Sequence, residues 1–292
     1  MIPLAWIYWD PKPEIFVLPI VHWPILWYGL FFAFGFVVGF PIFVGVVTRY
    51  LRFRYPEQTI LQCKGKATQV ADRLTIYIVI ATVLGSRLGH FFFYESPSSY
   101  LNDPLQIFRV WEGGLASHGA VIAIILAVFL FSYRIRSVIK GLSWMRVLDF
   151  LSAPAAFAAC CIRIGNFFNQ EIFGTPSNLP WAVVFGHPAD HSMPTPRHPV
   201  QLYESLFYLA VFFLLWRLSF RSKFLAVQGK LTGLCLALIF GFRFFIEFLK
   251  PEQSRIMSDA ASLTMGQYLS LPLIGLGLIF YFWRRSTNPA FK

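Results

Sequence analysis

Charged side chains are scarce in this sequence, where Asp, Glu, Lys and Arg make up only 13% of the 292 residues. A typical soluble domain is about a quarter charged. Hydrophobic residues account for 57% of the chain and aromatic residues for 18%, and the mean hydropathy is +0.59. This composition excludes an ordinary soluble domain and predicts a polytopic membrane protein.

Cysteine patterns typical of a disulfide framework or a metal site are also missing. The chain has 4 cysteines: Cys160 and Cys161 are adjacent, whereas Cys63 and Cys235 are isolated. None has a partner at zinc-ligand spacing. We therefore expect four small apolar core residues, no metal ion and no other cofactor.

Seven apolar stretches are each long enough, at about 20 residues, to cross a bilayer as a helix. The longest non-apolar segment, about 169–199, predicts a small periplasmic cap, and the aromatic N-terminal stretch predicts an interfacial arm. The predicted fold is thus an all-α polytopic membrane protein, a single integral-membrane domain over 1–292. The expected spans are 24–48, 74–94, 115–134, 147–168, 200–219, 230–249 and 267–283.

We attribute the net charge of +11 to membrane topology rather than to nucleic-acid binding. Of the 25 basic residues, seventeen lie in the loops that seven spans place on one side of the membrane, and five lie on the other side. Since cytoplasmic loops are enriched in Lys and Arg, we expect the N-terminus outside and the C-terminus in the cytoplasm. Three arginines remain inside spans: Arg87, Arg163 and Arg243.

Polar and charged residues gather at one depth of this predicted topology, in the outer half of the bilayer. Such groups cost several kcal/mol each in a membrane and need partners or a function. Structural explanations exist for some: Arg243 and Glu247 at i,i+4 can neutralise one another, and Arg87 lies in a small-residue run suited to helix packing. Asp149, near the cytoplasmic start of the fourth span, is expected to be a helix N-cap. The residues at the outer depth are Tyr28, Arg87, His118, Arg163, Asn166, Asn169, Glu171, Gln201, Tyr203, Glu204, Arg243 and Glu247.

Three arginines in one polar cavity favour an anion, because the guanidinium fork matches phosphate geometry. The abundant phosphate of a bilayer is the lipid headgroup, so the residues alone predict an outward-facing phospholipid site. An enzyme and a non-catalytic carrier or transporter of anionic lipid both fit this site. No internal repeat is visible, which counts against a transporter, and no serine, aspartate-pair or zinc constellation indicates an intramembrane protease.

Several blocks of the sequence resemble the bacterial phosphatidylglycerol–prolipoprotein diacylglyceryl transferases. They are WYGL at 27–30, GSRLG at 85–89, DPLQIFRVWEGGLASHG at 103–119, RIGNFFNQE at 163–171, RHPVQLYE at 197–204, FRFFIEF at 242–248 and TMGQ at 264–267. Their order and spacing match as well. The chain departs from the family at Gln170, where the residue before the motif glutamate is usually glycine.

The resemblance implies transfer of the diacylglyceryl group of phosphatidylglycerol to the lipobox cysteine of prolipoprotein signal peptides in the bacterial inner membrane. It implies a thioether product and release of glycerol phosphate. Arg163 and Arg243 are expected to hold the phosphate, and His118 is the candidate base because imidazole titrates near neutral pH. Tyr28 and Asn166 are expected to position the headgroup, and Glu171 and Glu204 to orient the arginines. The remaining predicted lipid-binding residues are Arg87, Asn169 and Glu247.

Overall fold

The computed structural model describes residues 6–19, 23–94, 117–135, 138–139, 142–251 and 263–282. Helices dominate these ranges, with five short strands at the N-terminus and between the fourth and fifth helices. The helices are α1 Trp27–Arg54, α2 Ile60–Tyr94, α3 Ser117–Arg134, α4 Trp144–Phe168, α5 Val200–Leu218, α6 Ser222–Ala226, α7 Lys230–Ile246 and α8 Met265–Phe282. The strands are β1 Ile7–Trp9, β2 Glu14–Leu18, β3 Trp23–Leu26, β4 Val183–Phe185 and β5 Pro196–Arg197.

Six of these helices, α1, α2, α4, α5, α7 and α8, are long and apolar enough to cross a membrane, and Gly119–Arg134 in α3 is a shorter apolar helix. The prediction of an all-α polytopic membrane protein with about seven membrane helices is confirmed. Helix α2 begins fourteen residues before the predicted span 74–94, in a segment that carries Lys64, Lys66, Asp72 and Arg73. These charges explain why the apolar pattern alone does not locate the start of the helix.

The chain forms two compact units, Met1–Val46 with Asp149–Lys292, and Val47–Leu148. In the first unit, α1, α4, α5, α6 and α7 share one apolar core. Its centre is buried because small residues of α4 face the bulky residues of the neighbouring helices. The core members are Ile42, Ala153, Ala156, Val211, Phe212, Leu215, Phe224, Leu231 and Cys235. A single domain over 1–292 stays a prediction.

Asp149 ties α4 to the start of α7 within the first unit. Its Oδ2 accepts from the Gly229 backbone N–H at 2.8 Å, and its Oδ1 accepts from the Thr232 N–H at 3.0 Å and the Thr232 hydroxyl at 2.9 Å. The carboxylate is buried and satisfies backbone donors that a helix start leaves open. The expectation of an N-cap is therefore wrong about the helix: Asp149 lies inside α4 and caps α7.

The N-terminal arm joins the segment between α4 and α5 in a small sheet. Strand β1 pairs in parallel with β4 from Ile7 opposite Val183 to Trp9 opposite Phe185, and β4 pairs antiparallel with β5. The Trp9 indole donates to the Phe167 carbonyl oxygen at 3.1 Å, and its ring packs against the Phe167 ring with centroids 4.7 Å apart. The arm thereby covers the C-terminal end of α4. Strands β2 and β3 form a separate hairpin that leads into α1.

Close helix contact through glycine organises the second unit. A Cβ on Gly119 of α3 would lie 2.5 Å from the Gly89 Cα of α2 and would also collide with the Gly85 carbonyl oxygen. Gly85 and Gly89 have the small-xxx-small spacing that lets helix backbones approach in a membrane. Arg87 lies between them, is buried, and places its guanidinium 4.8 Å from the centroid of the Phe91 ring one turn later.

Candidate active site

The C-terminal end of α4 is closed by a turn that returns the chain toward the helix. The Gln170 N–H bonds to the Phe167 carbonyl at 3.2 Å, and the Glu171 N–H bonds to the Asn166 carbonyl at 3.1 Å. This pair of bonds defines a Schellman motif, in which the residue just after the helix C-cap takes the left-handed conformation that glycine favours. Gln170 occupies that position with φ 50°. A glycine at this position would adopt the same conformation without strain.

The turn places Glu171 against the last polar residues of α4. Asn166 Nδ2 donates to Glu171 Oε1 at 2.8 Å, and Asn169 Nδ2 donates to the same oxygen at 3.3 Å. On its other side, Asn166 Oδ1 accepts from Arg163 Nη1 at 3.0 Å. Ile172, with φ 55°, is a β-branched residue in a region that such residues rarely occupy. Glu171 is thus held between two left-handed residues, which is the kind of strain that concentrates at functional sites.

Helix α5 supplies the second carboxylate of the cluster. Arg163 Nε lies 3.1 Å from Glu204 Oε2, and the Glu204 side chain is 0% exposed. The Arg163 N–H is not aligned for a hydrogen bond to that oxygen, so the contact is an ion pair, and Oε2 accepts no hydrogen bond from the described residues. Glu204 Oε1 accepts from the Tyr208 hydroxyl at 3.2 Å, and Gln201 Nε2 donates to the Glu171 carbonyl at 2.7 Å. One face of α5 therefore fixes both Arg163 and the turn after α4.

The C-terminal end of α7 brings a third carboxylate and a buried lysine. Lys250 Nζ lies 3.2 Å from Glu204 Oε1 and 3.4 Å from Glu247 Oε2. Arg243 is close enough to Tyr208 and Lys250 to interact electrostatically with both. Arg243 has no ion pair or hydrogen bond through its guanidinium within the described part of the chain. The neutralisation of Arg243 by Glu247 that their spacing allows is absent there, because Glu247 pairs with Lys250.

Tyr28 packs directly against the α4 motif. A Cβ on Gly165 would lie 2.9 Å from Tyr28 Cδ2 and 3.2 Å from Tyr28 Cα, so α1 and α4 touch through this glycine. The Tyr28 hydroxyl lies within electrostatic range of Glu171 and Arg163. The glycine of the R-x-G-N-F-x-N-x-E motif thus sets how near Tyr28 comes to Arg163.

Gln170 also connects the turn to the N-terminal arm. Its Nε2 donates to Asp10 Oδ1 at 3.1 Å, and its Oε1 accepts from the His187 N–H at 2.8 Å. His187 Nδ1 lies 2.6 Å from Asp10 Oδ1. Hydrogen bonds from His187 and Gln170 lower the pKa of Asp10 below its ordinary 3.8. The contacts of the ionised Asp10 carboxylate with Gln170 and His187 are therefore present at neutral pH. They weaken only as the pH falls through the lowered pKa of Asp10.

Two substitutions separate the backbone role of Gln170 from its side-chain role. Gln170→Ala loses both hydrogen bonds and keeps the left-handed strain, so we expect a loss of about 1–3 kcal/mol in unfolding free energy. Gln170→Gly loses the same bonds but relieves about 1 kcal/mol of strain. Thermal unfolding followed with a thiol-reactive dye suits this test, because Cys63, Cys160, Cys161 and Cys235 are all buried. Equal stability of the two variants would contradict the left-handed assignment.

The first unit brings together eight of the ten predicted site residues: Tyr28, Arg163, Asn166, Asn169, Glu171, Glu204, Arg243 and Glu247. Arg87 and His118 belong to the second unit; the His118 backbone lies in α3, and its side chain falls outside the described residues. Whether these ten residues act as a site stays a prediction. Lys250 and Tyr208 are members of the cluster that the sequence analysis missed. The i,i+3 spacing of Glu247 and Lys250 was the available signal for the lysine.

Comparison with known proteins identifies the family of the chain. The family model described as prolipoprotein diacylglyceryl transferase matches residues 15–283. A phosphatidylglycerol–prolipoprotein diacylglyceryl transferase of Chloroherpeton thalassium is 39% identical over 95% of this chain and 94% of its own length. Those of Tolumonas auensis, 39% identical over 94% of this chain and 95% of that protein, and Protochlamydia amoebophila, 35% identical over 97% and 96%, are similar over the same extent. The chain belongs to the prolipoprotein diacylglyceryl transferase family.

Proposed function

We propose that this protein transfers the sn-1,2-diacylglyceryl group of phosphatidylglycerol to the lipobox cysteine thiol of prolipoproteins. The thiol sulfur attacks the glycerol carbon that carries the phosphate ester. The C–S bond forms as the C–O bond breaks, the thiol proton passes to a base, and glycerol phosphate departs. Membership in a family of transferases favours this function over a non-catalytic carrier of anionic lipid.

The observation that carries the proposal is the pair of arginines at the buried cluster. Arg163 is anchored by Glu204 and Asn166, and these contacts use only part of the five N–H donors of a guanidinium. Arg243 makes no ion pair among the described residues. Both arginines therefore have N–H donors left for a phosphate. A phosphate accepts two hydrogen bonds from one guanidinium fork, and such charged hydrogen bonds are stronger in a site of low dielectric.

The surrounding residues supply hydrogen-bond acceptors for a glycerol headgroup. Asn169 Oδ1 and Gln201 Oε1 are buried and accept no hydrogen bond from the described residues. Two hydroxyls of a glycerol headgroup can donate to such acceptors, and Tyr28 and Asn166 are proposed to position the same headgroup. Glu171 and Glu204 orient Asn166 and Arg163, and Arg87 and Glu247 complete the proposed lipid-binding set.

The proposed setting is the bacterial inner membrane, with the N-terminus outside and the C-terminus in the cytoplasm. The seventeen-to-five distribution of basic residues over the predicted loops supports this orientation. The proposed reaction implies prolipoprotein signal peptides with a lipobox cysteine as the protein partners. No cofactor enters the proposed reaction, because the nucleophile belongs to the peptide substrate.

The direct test uses detergent-solubilised protein, phosphatidylglycerol and a lipobox peptide. Mass spectrometry should show the peptide gaining one diacylglyceryl group with loss of one proton, and glycerol phosphate should appear in equal amount. A peptide with serine in place of the lipobox cysteine should gain nothing. Binding of phosphatidylglycerol without a covalent product would instead support the carrier.

His118 is the proposed base, and its replacement gives a second prediction. His118→Gln keeps hydrogen-bonding capacity but takes up no proton, so we expect kcat/KM to fall by about 10²–10⁴-fold. Since a thiolate forms without help at higher pH, the deficit should shrink as the pH rises toward the thiol pKa of the peptide. A rate equal to that of the unaltered protein would exclude His118 as an obligatory base.

A further inference from the structure

Arg243 and Glu247 have the geometry of an ion pair that does not form among the described residues. The backbone is helical from one to the other, because the Glu247 N–H bonds to the Arg243 carbonyl and Glu247 has φ −63° and ψ −25°. Opposite charges at i,i+4 on a helix normally attract one another. Glu247 instead directs Oε2 to Lys250 Nζ at 3.4 Å.

Two structural elements hold the Glu247 carboxylate in this position. Lys250 is the first. The second is the opening turn of α8, where a Cβ on Gly266 would collide with the Glu247 carboxylate oxygens. That turn is fixed by reciprocal bonds, from the Gln267 N–H to Thr264 Oγ1 at 3.3 Å and from the Thr264 N–H to Gln267 Oε1 at 2.9 Å. A carboxylate at the N-terminus of a helix is also favoured by the helix dipole.

Lys250 is the cation that balances Glu247. Its side chain is 2% exposed and contacts both Glu204 and Glu247. Glu204 has Arg163 and Tyr208 as further partners, so it keeps a counter-charge when the lysine is removed. Glu247 has no other cation within 4.0 Å in the described ranges, and Arg243, one helical turn before it, is then its nearest alternative on the same helix.

We infer that Lys250 is a positioning residue that diverts Glu247 from Arg243 and so keeps the Arg243 guanidinium available to the phosphate of the lipid substrate. The inference rests on the proposed function, since it concerns how the same site receives phosphatidylglycerol. Without the lysine charge, Glu247 turns to Arg243 and competes with the lipid phosphate. The competition weakens lipid binding and is overcome at high lipid concentration.

The expected result for Lys250→Gln is therefore an increase in the KM for phosphatidylglycerol. We expect about a tenfold increase, the effect of one competing ion pair of about 1.4 kcal/mol, with kcat within about threefold of the unaltered protein. Lys250→Arg keeps the charge and should leave KM within about threefold. Lys64→Gln is the matched control, because Lys64 is an exposed lysine near the start of α2. An unchanged KM in folded Lys250→Gln would overturn the inference.

A second substitution distinguishes this role from a merely structural one. In Lys250→Gln/Glu247→Gln no carboxylate remains to compete, so KM should return to within about threefold of that of Glu247→Gln alone. This comparison does not need the single lysine variant to fold. A KM that stays about tenfold higher in the double variant would overturn the inference, because Lys250 would then act through something other than Glu247.

A binding measurement separates failure of this inference from failure of the proposed function. Native mass spectrometry of detergent-solubilised variants with phosphatidylglycerol should give the same order of affinities as the KM values, without turnover. If the lipid affinities follow this order but no diacylglyceryl group is transferred to the peptide, the proposed function is contradicted and the role of Lys250 is supported. If the unaltered protein transfers the group but all variants bind the lipid with equal affinity, only the role of Lys250 is contradicted.

Discussion

Replacing Arg163 with lysine is expected to lower kcat/KM for diacylglyceryl transfer by about 10²–10³-fold, the usual effect of losing one preorganised donor to a developing anion. Arg163 contacts Glu204 through Nε and Asn166 through Nη1 at the same time. A lysine ammonium is a single point charge on a flexible stem and cannot keep both contacts while donating to a phosphate. In Arg163→Lys we expect the ammonium to approach the buried Glu204 carboxylate and turn away from the lipid.

The loss should appear mainly in kcat if the fork acts on the departing phosphate, because only interactions strengthened in the transition state change that constant. Arg217→Lys is the control, since Arg217 is an exposed arginine on the same helix as Glu204, thirteen residues or about 20 Å farther along. Its rate should match that of the unaltered protein. A kcat/KM of Arg163→Lys within threefold of the Arg217→Lys value would remove the case for a forked phosphate contact.

The membrane helices and much of the cluster could be predicted from sequence, because their signals are local. Apolar runs of span length predict helices whatever their neighbours are. Arg163, Asn166 and Asn169 are spaced by three, so one helix face carries them all. Their hydrogen bonds to one another and to Glu171 follow from that spacing and the turn after α4.

The partners of the charged residues could not be predicted in the same way, because they depend on contacts between helices. The i,i+4 spacing favoured a pair between Arg243 and Glu247, yet the chain turns after Leu249 and places Lys250 beside two carboxylates. Asp149 looked like a cap for its own helix and caps α7 instead. In each case the carboxylate binds a group that is distant in sequence or lies beyond the end of the helix. The periodicity of a single helix carries no information about such a partner.

The left-handed position of Gln170 was visible in the sequence only as a departure from the family. The geometry explains why glycine suits that position and why glutamine is tolerated, since its side chain bonds to Asp10 and to the His187 backbone. The glycine two residues after Arg163 has a different role, which depends on space instead of backbone conformation.

Gly165→Ala is expected to lower the transfer rate by about 10²-fold, because it moves Tyr28 relative to Arg163 and misplacements near 1 Å have effects of this size. The added methyl group would lie 2.9 Å from Tyr28 Cδ2 and 3.2 Å from Tyr28 Cα, so both the ring and the α1 backbone must shift. We also expect a loss of about 1–3 kcal/mol in unfolding free energy from this overpacking.

Gly29→Ala is the matched control for that steric effect. Gly29 is the residue after Tyr28 in α1, and a Cβ there meets nothing within 4 Å. Alanine at Gly29 should therefore preserve the rate and stabilise the helix by about 0.4–1 kcal/mol. Because both substitutions add one methyl group to a helical glycine beside Tyr28, their difference isolates the contact between α1 and α4.

Equal rates in the two variants would show that the separation of Tyr28 from Arg163 does not limit the reaction. A Gly165→Ala protein with unchanged thermal stability and a reduced rate would instead assign the whole effect to the position of the tyrosine.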